Sequence, residues 1–174
     1  LYQGEELGQT ETELVYDELT DPPALRFWPQ IKGRDGCRTP MVWDDSPNAG
    51  FSAAKPWLPV KEPQAARHVA GQQGDNDSVL SAYCATLAFR KAQMPLRRGE
   101  TSFLDLPEPI LAFHRGIGGE ALTCVFNLSP KPARLTLSDD AALAGPSRGS
   151  LNGRVLDLPP NGFAWLDRAV RLSL

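Results

Sequence analysis

Carboxylates are the only abundant side chains in this sequence suited to proton transfer or nucleophilic attack, and they come in close pairs: Glu5-Glu6, Asp17-Glu18, Asp44-Asp45, Asp75 with Asp77, and Asp139-Asp140. In glycosidic chemistry an acid and its partner carboxylate face each other across a bond, about 5 to 9 Å apart. Neighbours in sequence normally point in different directions, so adjacency alone builds no such pair. Asp75 and Asp77 precede an apolar-periodic run and suit helix capping. Asp139-Asp140 suit a solvated turn, and Asp44-Asp45, after Trp43, stay open to either role. The richest segment is Lys32-Gly33-Arg34-Asp35-Gly36-Cys37-Arg38-Thr39-Pro40-Met41-Val42-Trp43-Asp44-Asp45. Two guanidiniums four positions apart, in a loop stiffened by Pro40, can offer bidentate donors to hydroxyls or carboxylates. A structural ion pair gives the same pattern.

Other chemistries lack their residues. His68 and His114 are far apart with no Cys or His at ligand spacing, and Cys37, Cys84 and Cys124 form no CxxC motif. Neither a zinc site nor a disulfide framework is expected, and the thiols read as reduced and cytoplasmic. GxSxG, P-loop and dinucleotide fingerprints are absent, so no cofactor is expected. A net charge of -3, with 18 Lys+Arg against 21 Asp+Glu, provides no basic field for a phosphate backbone. No apolar run approaches the roughly 20 residues that span a bilayer. Nucleic acid and membrane are therefore not expected partners.

The elements that must position these groups fall into two compositional parts. Residues 1 to about 72 carry turn signals at Asp21-Pro22-Pro23, Lys32-Gly33, Asp35-Gly36 and Asn48-Ala49-Gly50, and no helical or strand period persists there. A segment of this kind makes a poor autonomous domain. From Asp75 onward, Val79, Leu80, Tyr83, Leu87 and Ala88 recur at helical spacing, which predicts a helix over 76–93, capped by Asp75, Asn76 or Asp77 and stopped at Met94-Pro95. After Gly99 the period becomes two. Ile110 to Arg115 and Leu122 to Leu128 flank Gly118-Gly119 as a hairpin, and further strands are expected at Ala133 to Leu137, Arg154 to Leu158 and Phe163 to Leu166. Short links between consecutive strands imply an antiparallel sheet. Phe113, Phe126, Phe163 and Trp165 alternate as core residues do. At 174 residues the chain fits one ordinary domain, or one small domain with an appended piece. It opens on Leu1 with no start or capping signal, as a chain cut inside an element would.

Tyr2-Gln3-Gly4-Glu5-Glu6-Leu7-Gly8, Gly33 to Trp43, Asn48-Ala49-Gly50-Phe51-Ser52, Trp57-Leu58-Pro59-Val60 and the helix opening Asp75 to Leu80 follow one another at spacings that resemble the C-terminal part of α-glucosidases and oligo-1,6-glucosidases. These enzymes belong to the α-amylase superfamily, glycoside hydrolase family 13. Val42 stands where Gln or Pro is common in that family, and Cys84 where Arg is usual.

The resemblance implies an α+β fragment. Residues 1–98 would be the end of a (β/α)8 barrel, comprising the eighth strand, a long loop and the last helix, and 99–174 an antiparallel β-sandwich. It also implies a retaining α-glucosidase acting on α-linked oligosaccharides, whose three catalytic carboxylates lie upstream in a missing N-terminal barrel segment. No catalytic residue would lie in this chain, which alone would be inactive. Arg38, and after it Arg34, would reach sugar hydroxyls or position an acid of that segment. A non-catalytic carbohydrate-binding or accessory β-sandwich module, and a transglucosidase or isomerase of the same family, are the alternative readings.

Overall fold

Prolines set the character of the first part of the chain. A proline sits in the opening turn of α1 (Pro22–Phe27), of the 3-10 helix Pro47–Gly50 and of α2 (Glu62–Ala65). At that position the missing N–H costs no hydrogen bond and the fixed φ already suits a helix. Prolines this frequent also keep helices short, and the one other α-helical turn before the long helix is α3 (Val69–Gln72). In the computed structural model, which describes residues 1–174, the chain divides into two compact units, 1–84 and 85–174.

The first unit contains no strand. The expected eighth barrel strand is not formed, and Tyr2 to Gly8 make a turn and the 3-10 helix Glu5–Leu7 instead. A solitary strand has no ladder partner for its N–H and C=O groups, so a local turn satisfies them better. Two small apolar clusters hold the unit. Leu14, Leu19, Ala24 and Leu58 pack with Trp28, and Leu7, Val42 and Ala49 pack with Met41, Val60, Val69 and Leu80.

The long helix α4 runs Val79–Ala92, inside the expected 76–93. Its cap differs from expectation. The Asp75 carboxylate accepts the Asp77 N–H in a turn of its own, and the Ser78 hydroxyl, one residue before the helix, accepts the Ser81 N–H at 3.1 Å. The Gln72 side chain takes the Leu80 N–H at 3.0 Å, so two first-turn donors are satisfied. Pro95 acts in both directions. It ends α4 and occupies the first turn of α5 (Met94–Arg98), where a proline starts a helix well.

The second unit continues into eight strands: β1 (Glu100–Phe103), β2 (Ile110–Ile117), β3 (Glu120–Asn127), β4 (Ala133–Leu137), β5 (Ser150–Asn152), β6 (Val155–Leu158), β7 (Phe163–Leu166) and β8 (Leu172–Ser173). They form two four-stranded antiparallel sheets, ordered β1-β2-β3-β7 and β5-β6-β4-β8. Gly118 and Gly119 both adopt positive φ, which permits the tight reversal between β2 and β3. The strands absent from the periodicity reading, β1, β5 and β8, all lie at sheet edges. These three are short and largely exposed, so no alternation of burial marks them, whereas the edge strand β7 is mostly buried.

Ile110, Ala112, Val125, Ala164 and Leu166 of the first sheet meet Leu135, Leu137, Leu156 and Leu158 of the second in one core. Leu135, Leu156 and Leu166 are fully buried, each contributing about 1.5–3 kcal/mol relative to exposure. Both faces of β3 are covered. Leu122 and Cys124 face away from this core, while Thr123 and Asn127 are buried on the other side with their polar groups paired. The Thr123 hydroxyl donates to the Arg168 carbonyl at 2.7 Å and accepts the Val170 N–H, and the Asn127 amide donates to the Lys131 and Pro159 carbonyls.

The aromatic residues expected to be core residues do pack into an apolar cluster, but not the one between the sheets. Phe113, Phe126, Phe163 and Trp165 join Phe89 and Leu96 in a second cluster on the outer face of the first sheet. Neighbouring rings there are stacked or edge-to-face at 5.5 to 6.4 Å, with Phe103 extending the row at the edge. Period-two alternation identifies a shared face and cannot say which of two covered faces it is.

Cys124 lies in this second cluster with no exposed area, and burial pushes its thiol up to about 12, whereas Cys37 and Cys84 are exposed. Titration of the chain with a chromogenic aromatic disulfide should therefore release two equivalents rapidly and the third only in denaturant. Rapid reaction of all three thiols in the native chain would contradict this packing.

Candidate functional site

The segment from Gly33 to Pro40 is built from both sides by short polar contacts. Gly33 adopts a φ of 72°, and a Cβ there would lie 2.8 Å from both the Ala24 Cβ and the Asp21 carboxylate, so only glycine admits this approach. Beyond it two carboxylates cross in opposite directions. Asp21 accepts the Arg34 N–H at 2.8 Å, and Asp35 accepts the N–H groups of Thr20 at 2.6 Å and Asp21 at 2.7 Å. The Thr20 hydroxyl supplies a third donor to Asp35 at 3.1 Å.

The opposite flank is fixed through Gly36. Its carbonyl accepts the Thr12 N–H at 2.9 Å, and a Cβ on it would come within 2.6 Å of the Thr12 carbonyl oxygen. The hydroxyls of Thr12 and Thr39 meet at 3.3 Å, and Pro40 is buried. Between these anchors Asp35–Cys37 forms one 3-10 turn, closed by the Arg38 N–H donating to the Asp35 carbonyl at 2.9 Å.

The two candidate arginines have different surroundings. Arg34 pairs with the buried Asp21 through Nε at 3.4 Å and Nη2 at 3.5 Å, although most of its side chain is exposed. Its hydrogen bonds hold the Asp21 carboxyl below the usual carboxylate range. Arg38 is half-buried, and no group of the chain bonds to its guanidinium. Its positive charge acts on Tyr2 and Asp21. The loop thus presents one paired and one unpaired fork.

A cavity of about 120 Å³ is lined by Tyr2, Gln9, Cys37, Thr39 and Gln64, among others, and not by Arg38. It has room for a few waters at ~30 Å³ each and is smaller than the ~300 Å³ of ordinary small-molecule sites. The Oε1 atoms of Gln9 and Gln64 are buried without a donor.

The carboxylate pairs noted in the sequence do not converge. Glu5 and Glu6 fold back to accept the N–H groups of Tyr2 and Gly4, each at 2.9 Å. Asp44 accepts from the Ser46 hydroxyl and N–H, and these bonds lower its pKa. Asp140 pairs with Arg154 at the surface. His68 caps α3 by accepting the Gly71 N–H, and His114 Nε2 bonds the Val170 carbonyl. The residues that sequence reasoning missed are Thr20 and Asp21. Asp21 looked like a turn former before Pro22-Pro23, and nothing in its spacing announced a carboxylate buried against Arg34.

Comparison with known proteins gives a consistent set of relatives. Residues 1–99 match the family described as alpha amylase, catalytic domain. The chain is 50% identical over 133 residues to a probable alpha-glucosidase of Rhizobium meliloti (strain 1021), a match covering 76% of the chain and 24% of that protein. It is 34% identical over 158 residues to an oligo-1,6-glucosidase of Parageobacillus thermoglucosidasius, covering 80% of the chain and 28% of that enzyme. Among solved structures, the alpha-glucosyl transfer enzyme XgtA superposes with a TM-score of 0.90 at 43% identity, covering 97% of the chain and 32% of XgtA. The chain therefore spans only 24% to 32% of the length of these proteins.

The Asp21–Arg34 pair yields a pH prediction. Because the folded-state pKa of Asp21 lies below its ordinary 3.8, the pair contributes stability above that value and loses it as the pH falls through the lower folded value. An NMR titration of the Asp21 carboxyl carbon should give a midpoint below 3.8, and Arg34→Ala should raise it. A midpoint unmoved by that substitution would show that Arg34 does not hold the carboxylate.

Proposed function

The chain belongs to the α-amylase family, glycoside hydrolase family 13, and on that premise we propose that it is the C-terminal portion of a retaining α-glucosidase that hydrolyses terminal α-glucosidic bonds of short oligosaccharides. In this reading residues 1–98 are the end of the catalytic barrel, residues 99–174 form a β-sandwich, and the catalytic carboxylates lie in a preceding barrel segment. One of those carboxylates attacks the anomeric carbon while a second protonates the leaving oxygen, and water then hydrolyses the glycosyl-enzyme. Glu5, Glu6, Asp21, Asp35 and Asp44 of the present chain are engaged in local hydrogen bonds.

The observation that carries the reading is the unpaired, half-buried Arg38 at the end of a turn anchored on both flanks. A glucose-releasing pocket closes around the non-reducing end, and a fixed guanidinium fork suits hydroxyls far from the scissile bond. Arg34 lies beside it and keeps exposed donors while paired with Asp21. The likeness to a glucosyl transfer enzyme favours a second reading, in which the glycosyl-enzyme is passed to a sugar acceptor instead of water. Product analysis separates the two: hydrolysis of maltose yields only glucose, whereas transfer yields longer saccharides.

Two assays test the proposal. The isolated 174-residue chain should release no nitrophenol from 4-nitrophenyl α-glucoside above a mock preparation; clear turnover would place a catalytic pair within it. In the full-length enzyme, Arg38→Lys keeps the charge and loses the fork, so kcat/KM on maltose should fall by about 2 to 4 kcal/mol of transition-state stabilisation. Unchanged kcat/KM would remove Arg38 from the substrate contacts.

A further inference from the structure

Asp35 is the one carboxylate of the chain with no exposed area, and it pairs with neither of the arginines that flank it in sequence. Its two functional ends do different work. The side chain accepts three hydrogen bonds from Thr20 and Asp21, and the backbone carbonyl accepts the Arg38 N–H. One residue therefore ties the turn that carries Arg38 to a distant part of the chain. Charged acceptors make shorter and stronger bonds than neutral ones, and the 2.6 and 2.7 Å contacts lie at the short end of the range. The ties through Gly36 and Thr39 to Thr12 hold the opposite flank, and Asp21 holds the residue before the turn through the Arg34 N–H; none of them reaches Asp35 or the Arg38 backbone N–H.

We propose that Asp35 is a positioning residue, which acts on substrate only by holding the Asp35–Cys37 turn, and with it the Arg38 guanidinium, in a fixed place. The inference rests on the functional reading of Arg38 given above. A guanidinium on a loose loop can still find a sugar hydroxyl, but it must lose conformational freedom each time it does so. A turn fixed in advance has lost that freedom during folding. Asp35 touches no substrate, and its removal should matter only while Arg38 retains its fork.

The test is a double-mutant cycle in the full-length enzyme with 4-nitrophenyl α-glucoside, with the thermal transition of each variant recorded. Asp35→Ala should lower kcat/KM by about tenfold or more, and Asp35→Asn, which keeps an acceptor for the two N–H groups, should restore most of the loss. The decisive variant is Asp35→Ala combined with Arg38→Lys, which should fall within about threefold of Arg38→Lys alone, because both changes remove the same contact. If Asp35→Ala does not fold, Thr20→Val removes one of the three donors at constant shape and serves in the same cycle, with a smaller single loss and the same absence of additivity. Losses that multiply in the double variant would overturn the proposal and leave the role of Arg38 intact. An Arg38→Lys variant with full activity would instead overturn the functional reading, and the positioning role with it.

Discussion

Two carboxylates crossing between residues 20–21 and 34–35 are the constraint on which the first unit depends. Asp21 reaches forward to the Arg34 backbone and side chain, and Asp35 reaches back to the Thr20 and Asp21 backbone. The intervening chain contains α1 and little else that is regular, and its apolar support is one small cluster around Leu14, Leu19, Ala24 and Leu58. Four buried aliphatic residues do not define one conformation for a loop of this length. Directed hydrogen bonds to charged acceptors do, because each leaves a costly unpaired group if the loop shifts.

The second unit solves its folding problem by different means. Two sheets share a core of leucine, valine, isoleucine and alanine, and β3 is covered on both faces. Chain order ties the sheets together: β4 leaves the first sheet for the second, β7 returns to the first, and β8 closes on β4. Separating the sheets would therefore require opening strand pairs as well as the apolar layer. The outer aromatic row adds ring contacts to an already covered strand, with Trp165 touching Phe89, Phe126 and Phe163.

Under the proposed function, the same polar lock connects fold to chemistry. An enzyme gains from a recognition group whose position is set before substrate arrives, since ordering it afterwards subtracts from binding. In this loop Gly33 and Gly36 permit backbone approaches that no side chain would tolerate, and the carboxylates convert those approaches into a fixed turn. Arg34 is partly consumed in that scaffold, and Arg38 is left unpaired at its end.

By itself, the amino-acid sequence determined the family, through motifs from Tyr2 to Leu80, and the existence of α4 and of β2, β3, β4, β6 and β7. Those elements are legible because a helical or two-residue period records burial against something, whatever that something is. Only the tertiary structure decided what each face meets: that Phe113 and Phe126 pack outside the inter-sheet core, that the edge strands β1, β5 and β8 exist, and that Ser78 rather than Asp75 caps α4. The candidate site divides in the same way. Arg34 and Arg38 are visible as residues, but their difference is not, because it depends on Asp21, a partner brought close only by the folding of the intervening chain. Periodicity carries information about neighbours a few positions away, and ion pairs across a loop leave no such trace.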